Sequence, residues 1–309
     1  MSLLLVQNIL TLFLMMAIGF AIAKSKLLKP SDSKALSIAS LYAIIPCTIV
    51  SSLQVERTPE VLQGALVALI GAVVSHLLFI ALARLVKGPL KLDAVEQTSL
   101  AYTNCGTYII PLVVMVLGQE YVIYCTVYLA TFNAFMWTHA RIVLGGRAGL
   151  KLRGLLLNVN MIAVYLGAFM FVTGLDFPPV VENAIDGISS MLGPAAMLAV
   201  GMVLAGVDLK MVRGYKKLPL VTVLRLLVFP LVLLALLKLT PLAWVASLSP
   251  NGTTVLLVIL MAGSAPSALV LAQLAQACKQ DFTYCSAISV ATLIFSIFTL
   301  PLMVFLYTL

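Results

Sequence analysis

The sequence predicts an all-α polytopic membrane protein. It reads as ten transmembrane helices in two inverted five-helix repeats, with broken crossover helices 4 and 9. Three observations carry this: an apolar composition, ten apolar stretches of membrane-spanning length, and a basic charge that alternates from one connection to the next. Of 309 residues, 62% are apolar and 10% are charged, against about 25% charged in soluble domains. Mean hydropathy is +1.13. A soluble fold keeps a polar-rich exterior and cannot absorb so much apolar surface. The composition therefore excludes a soluble enzyme, a nucleic-acid binder and a disordered chain. The lipid bilayer is the expected surround.

A helix needs about 20 mostly apolar residues to span a bilayer. The spans are placed at 3–23, 35–54, 62–85, 95–117, 121–144, 155–175, 187–207, 218–238, 253–277 and 283–307. No Lys or Arg precedes the first apolar run, and Lys24, Lys26 and Lys29 follow it. A cleavable signal has the opposite order, so the run reads as a retained span with its N-terminus outside.

The net charge of +8 has a topological reading. Lys24, Lys26, Lys29 and Lys34 follow span 1, and Arg84, Lys87 and Lys91 follow span 3. Arg141, Arg147, Lys151 and Arg153 follow span 5; Lys210, Arg213, Lys216 and Lys217 follow span 7; Lys279 follows span 9. These are sixteen of the 19 basic residues. The alternate connections hold only Arg57 and Lys238. By the positive-inside rule both termini are expected outside the cytoplasm. An added or missing span would destroy the alternation.

The chain also repeats itself. Tyr124-Cys125-Thr126 opens span 5 and Tyr284-Cys285-Ser286 opens span 10. Pro46 in span 2 pairs with Pro194 in span 7, and Pro111 in span 4 with Pro266 in span 9. A unit of five spans must enter the membrane from the opposite side on its second pass, so the halves are inverted. The first repeat covers 1–147 and the second 154–309. Inverted repeats with broken helices are the architecture of secondary transporters.

Spans 4 and 9 are the expected broken helices. Span 4 carries Asn104, Gly106, Thr107 and Pro111; span 9 carries Gly263, Ser264, Pro266 and Ser267, with Gln273 two turns on. Proline lacks an N–H and clashes with the preceding turn, and irregular backbone survives in a membrane only inside protein or beside a wet cavity. Half-helix N-termini suit a carboxylate, and half-helix C-termini suit a cation. The same prolines can also do no more than kink packed helices. Pro46, Pro194, Pro230 and Pro301 are read as structural.

Few ionisable groups are embedded. His76 in span 3 is a candidate for proton coupling or a core histidine bonded to a helix carbonyl. His139 beside Arg141 reads as interfacial. Arg225, two turns into span 8, either snorkels to the surface, the favoured reading, or holds an anion. Asn133 in span 5 faces the site or bonds a neighbouring helix. No carboxylate falls mid-span, Glu96 being nearest, so a buried acidic proton relay is disfavoured. Coupling to Na+ or H+ stays open, Na+ through carbonyls and neutral oxygens. Cys47, Cys105, Cys125, Cys278 and Cys285 read as small packing residues, with no metal-ligand spacing among them. No phosphate-binding glycine loop and no nucleophile–base pair is present, so no catalytic residue, metal or cofactor is expected and the chain does not read as an enzyme.

These residues resemble the auxin efflux carrier family, in its bacterial branch. The similar segments are Ala17 to Leu28, Leu41 to Pro46, Thr103 to Leu112, Phe132-Asn133 with Trp137-Thr138, Pro194 to Leu198, and Ser264 to Pro266. The likeness covers essentially the whole chain, and the fold is similar to that of bile acid:sodium symporters. It implies helices 4 and 9 crossing at Pro111 and Pro266, with Asn104 beside the substrate carboxylate. It also implies a scaffold from about 1–54 and 154–208, a transport part from about 61–147 and 216–309, elevator-like movement, and a homodimer through the scaffold. The plant carriers have a long hydrophilic insertion after helix 5. Here only Gly145 to Arg153 stands there, so a small mono- or dicarboxylate is the better expectation than auxin. Two departures from the family pattern bear on substrate: Tyr108 follows Thr107, and no Asn lies near Pro266. A sodium-coupled symporter of bulky amphipathic anions is the first alternative. A non-transporting membrane sensor or channel is the second.

Overall fold

The computed structural model describes residues 2–146, 157, 159–206, 214–239 and 249–309. Among these, the regular elements are helices, and the extended pairing is one isolated antiparallel bridge, Thr103 with Ser267. The helices are α1 (Ser2–Lys24), α2 (Pro30–Ser52), α3 (Pro59–Leu90), α4 (Ala94–Ala101), α5 (Cys105–Val116), α6 (Val122–Phe135, running on through Met136–Ala140 and Arg141–Gly145), α7 (Val159–Thr173), α8 (Pro179–Ala205), α9 (Leu218–Leu239), α10 (Gly252–Ser264), α11 (Val270–Ala277) and α12 (Phe282–Thr308). Five of them, α2, α3, α8, α9 and α12, are long and apolar enough to cross a membrane. Shorter apolar helices include α5, α7 and α10. Arg147, Lys151, Arg153, Lys210 and Arg213, and the junction drawn between the two halves, lie outside the described residues.

Lipid supplies no hydrogen bonds, so a spanning segment must satisfy its backbone internally and becomes helical. Proline perturbs that ladder in a regular way here. Three five-residue π-turns, Ser40–Ile44, Cys105–Ile109 and Leu224–Val228, each end two residues before a proline: Pro46, Pro111 and Pro230. The ring removes one N–H donor and crowds the carbonyl one turn back, and the helix absorbs this by widening locally.

The chain forms two compact units. The first comprises Met1–Val61, Gly106–Thr126 and Leu156–Val207. In it α1 lies along the second half of α8, and the end of α2 packs on α7 and the start of α8. Gly19 and Gly201 let α1 and α8 touch backbone to backbone. A methyl on Gly19 would collide with the Leu198 carbonyl, and one on Gly201 with the Met16 carbonyl. Small residues at such a contact are how helices associate where lipid removes the hydrophobic drive. Buried hydroxyls tie the unit together: Ser189 donates to Thr48 Oγ1 at 3.1 Å, and Ser52 and Thr126 hydroxyls meet at 3.0 Å.

The second unit comprises Leu62–Cys105, Val127–Leu155 and Asp208–Leu309. At its centre is α10, buried at every position from Val255 to Ser264 and packed against α9 and α12. The outer faces carry Leu62, Leu66, Leu69 and Leu77 of α3 and Phe295, Phe298 and Phe305 of α12, all exposed. Exposed large apolar side chains in such rows are a surface made for acyl chains rather than water.

Candidate functional site

The second unit brings two interrupted helices together. α4 is started by a capping box. Asp93 Oδ1 accepts from the Glu96 N–H at 2.8 Å, and Glu96 Oε2 accepts from the Asp93 N–H at 2.9 Å. That pair satisfies two of the N–H groups a helix start leaves open. The helix stops at Ala101, and Tyr102 turns extended with φ −116° and ψ 130°. α10 stops at Ser264, and Ala265 is extended with φ −62° and ψ 156°. A residue before proline is driven out of the helical region by the ring's Cδ, so Pro266 ends α10 one residue ahead of itself.

The two extended stretches pair. The Asn104 N–H donates to the Pro266 carbonyl at 2.8 Å, and the Ala268 N–H donates to the Tyr102 carbonyl at 3.1 Å. Thr103 and Ser267 face each other in the bridge. From α12, Thr292 Oγ1 accepts the Ser267 N–H at 3.0 Å. The extended stretches are thus held by other backbone and one hydroxyl, as an apolar surround requires.

The side-chain oxygens of Ser264 and Ser267 are buried and have no hydrogen-bond partner among the described residues. An orphaned buried hydroxyl carries a desolvation cost of about 1–3 kcal/mol. Two at one crossing point to a ligand that uses them. A Cβ on Gly263 beside them would meet the end of the Leu233 side chain, which would have to shift.

Arg225 corrects the favoured expectation. It does not snorkel: it is 0% exposed and turned inward. Nη1 donates to the Leu100 carbonyl at 3.1 Å. Nη2 donates to the Gly263 carbonyl at 2.7 Å and the Ala265 carbonyl at 2.9 Å. Its guanidinium carbon lies 5.0 Å from the centre of the Phe79 ring. Snorkelling would have left the broken ends of α4 and α10 without donors. Capping them outweighs reaching water.

The remaining sequence candidates separate into those near this crossing and those apart from it. Asn104 is in the crossing and buried. His76 on α3 is buried, with Nδ1 2.7 Å from the Ala72 carbonyl. Its ring lies among Tyr102, Tyr128, Phe132 and Phe135, with centroids 4.8 to 6.4 Å away. Asn133 on α6 is buried. Gln273 on α11 is exposed and stands apart from the crossing. Gly106 and Thr107 lie in the π-turn after the crossing, and Pro111 lies in the first turn of the helix from Ile110. The crossing on span 4 therefore falls at Thr103 and Asn104, seven residues before Pro111. The π-turn before Pro111 takes up its ring, so α5 runs on through it.

Sequence reasoning missed four participants. Tyr102 supplies a crossing carbonyl, and its hydroxyl lies 2.9 Å from His139 Nδ1. Thr292 holds Ser267, and its one signal was its place in the repeat opposite Thr131. The Leu100 carbonyl is a backbone group and leaves no trace in a motif. Tyr284 donates to Glu96 Oε1 at 2.7 Å, beside the Lys217–Glu96 ion pair at 3.5 Å.

A family model described as membrane transport protein matches residues 4–152 and again residues 148–304. One model thus fits each half of the chain in turn. No curated protein matches the chain.

Proposed function

The chain belongs to the membrane transport protein family of auxin efflux carriers, and from that premise we propose that it is a secondary carrier moving a small organic anion, such as a mono- or dicarboxylate, by alternating access. The carrying observation is the crossing itself, where two broken spans meet at Thr103 and Ser267 and the buried hydroxyls of Ser264 and Ser267 have no partner among the described residues. Broken helices in corresponding positions of two halves are where secondary carriers bind substrate. The helices that follow the crossing start directly after it, α5 at Cys105 and α11 at Val270, and helix starts present N–H groups and a partial positive charge. Arg225 adds a full positive charge, and among the described residues no carboxylate pairs with it. The sum favours an anion.

The wider reading follows the same premise. Ten spans in two inverted repeats agree with the double family match and with the charge alternation. Elevator movement of a transport part against a dimeric scaffold follows the same family premise. Both termini are then outside the cytoplasm, in a bacterial cell membrane.

The test is uptake of radiolabelled malate and malonate into proteoliposomes. Asn104→Ala is expected to abolish uptake while the protein keeps its thermal transition. Uptake at the wild-type rate in a folded Asn104→Ala protein would remove the crossing as the substrate site.

A further inference from the structure

A half-helix that ends inside a membrane leaves its last carbonyls without donors and carries the negative end of the helix dipole. In carriers with broken helices such ends are seats for a coupling cation. The crossing has two such ends, at α4 and α10, and both are filled by one side chain. Arg225 reaches the Leu100 carbonyl in the last turn of α4. It also reaches the Gly263 and Ala265 carbonyls where α10 stops. Phe79 covers the guanidinium, which is wholly buried. The π-turn Leu224–Val228 carries Arg225 on α9, five residues before Pro230.

We infer that Arg225 is a resident cation that occupies the sodium seat of the broken helices, so that this carrier works without sodium at its crossing. Three carbonyls that would ligate a hard cation already accept from the guanidinium. A second positive charge among them would be repelled at short range in a low-dielectric surround. The buried carboxylate of the same unit, Glu96, is engaged by Tyr284 and Lys217 and adds nothing to the seat. An arginine stays charged at every accessible pH. A tethered charge also cannot leave with the substrate, so it neutralises the helix ends in all stages of transport without contributing a gradient. The assignment rests on the carrier reading and deepens it, and its own observation is the three carbonyl contacts.

The test needs no organic anion, so its failure is distinct from a failure of malate or malonate uptake. Thermal unfolding of the purified full chain is followed in NaCl and in choline chloride at equal ionic strength, for wild type, Arg225→Met and Arg225→Lys. Wild type and Arg225→Lys, each with a cation in place, are expected to unfold at the same temperature in both salts. Arg225→Met, which empties the seat, is expected to gain a saturable sodium-specific rise of about a few degrees. A saturable rise in wild type overturns the proposal, and so does a folded Arg225→Met that ignores sodium. If Arg225→Met does not fold, Arg225→Lys decides. Indifference to sodium supports the resident cation, and a sodium-specific rise overturns it.

Discussion

Glu96 and Arg225 are buried charges of opposite sign in one unit, stabilised in different ways. Arg225 is spread over three carbonyls. Glu96 is 2% exposed and accepts from the Asp93 N–H, from Tyr284 at 2.7 Å and from Lys217 at 3.5 Å. The tyrosine contact is the short one, and Tyr215 stacks on the Tyr284 ring with centroids 4.4 Å apart. Removing that hydroxyl leaves a buried carboxylate with one donor fewer, a loss of about 1–3 kcal/mol. Tyr284→Phe should therefore lower the thermal transition in detergent. Because the phenyl ring still stacks on Tyr215, the loss reports the hydrogen bond rather than the packing. An unchanged transition would mean that Glu96 does not depend on this donor. The residue scale is also where sequence reasoning was weakest. Distance from the membrane face suggested that Arg225 snorkels, whereas its partners lie 38 to 125 residues away along the chain. No local pattern carries such a contact.

At the scale of elements, the apolar stretches were legible because lipid leaves a spanning segment few options but a helix. Two unbroken helices follow the sequence closely, α9 (Leu218–Leu239) and α12 (Phe282–Thr308) against expected spans 218–238 and 283–307, while α3 (Pro59–Leu90) overruns 62–85 at both ends. The exact break in span 4 was not legible. Pro111 is the visible perturbation, yet α5 stays helical through it, with a π-turn before it. The true interruption at Tyr102–Asn104 is held by pairing with Pro266 and Ala268, a tertiary contact. Span 9 was legible because there the proline acts on its own neighbour: Ala265 must be extended. The two prolines should therefore differ on substitution. Pro266→Ala lets α10 continue, displaces the Gly263 and Ala265 carbonyls from Arg225, and should cut malate uptake by roughly tenfold or more. Pro111→Ala removes a ring that the π-turn before it already accommodates, and should not lower stability and should leave most uptake. Parallel uptake and thermal unfolding of the two variants decide the matter. Equal losses of uptake would mean that the site extends over both prolines alike.

For the whole molecule, charge and repeat make a single argument about topology. On the ten-span reading sixteen of 19 basic residues fall on alternate connections, and one family model matches each half in turn. A duplicated unit keeps its positive connections inside after inversion only if it has an odd number of spans. Inversion can then be tested without resolving any helix, by choosing two positions separated by spans 2 to 6. Ser25 follows α1, Asp176 follows α7, and both are exposed. Five crossings between them put the two positions on opposite faces; four or six would put them on the same face. Three of the five natural cysteines are buried and two are half-buried, so the unsubstituted protein gives the background for labelling with a membrane-impermeant maleimide. In intact cells, Asp176→Cys should label at once, and Ser25→Cys only after permeabilisation, since Lys24, Lys26 and Lys29 hold that connection inside. Labelling of both without permeabilisation would break the odd count and with it the inverted repeat. The reverse pattern would keep the repeat and turn the whole protein over in the membrane.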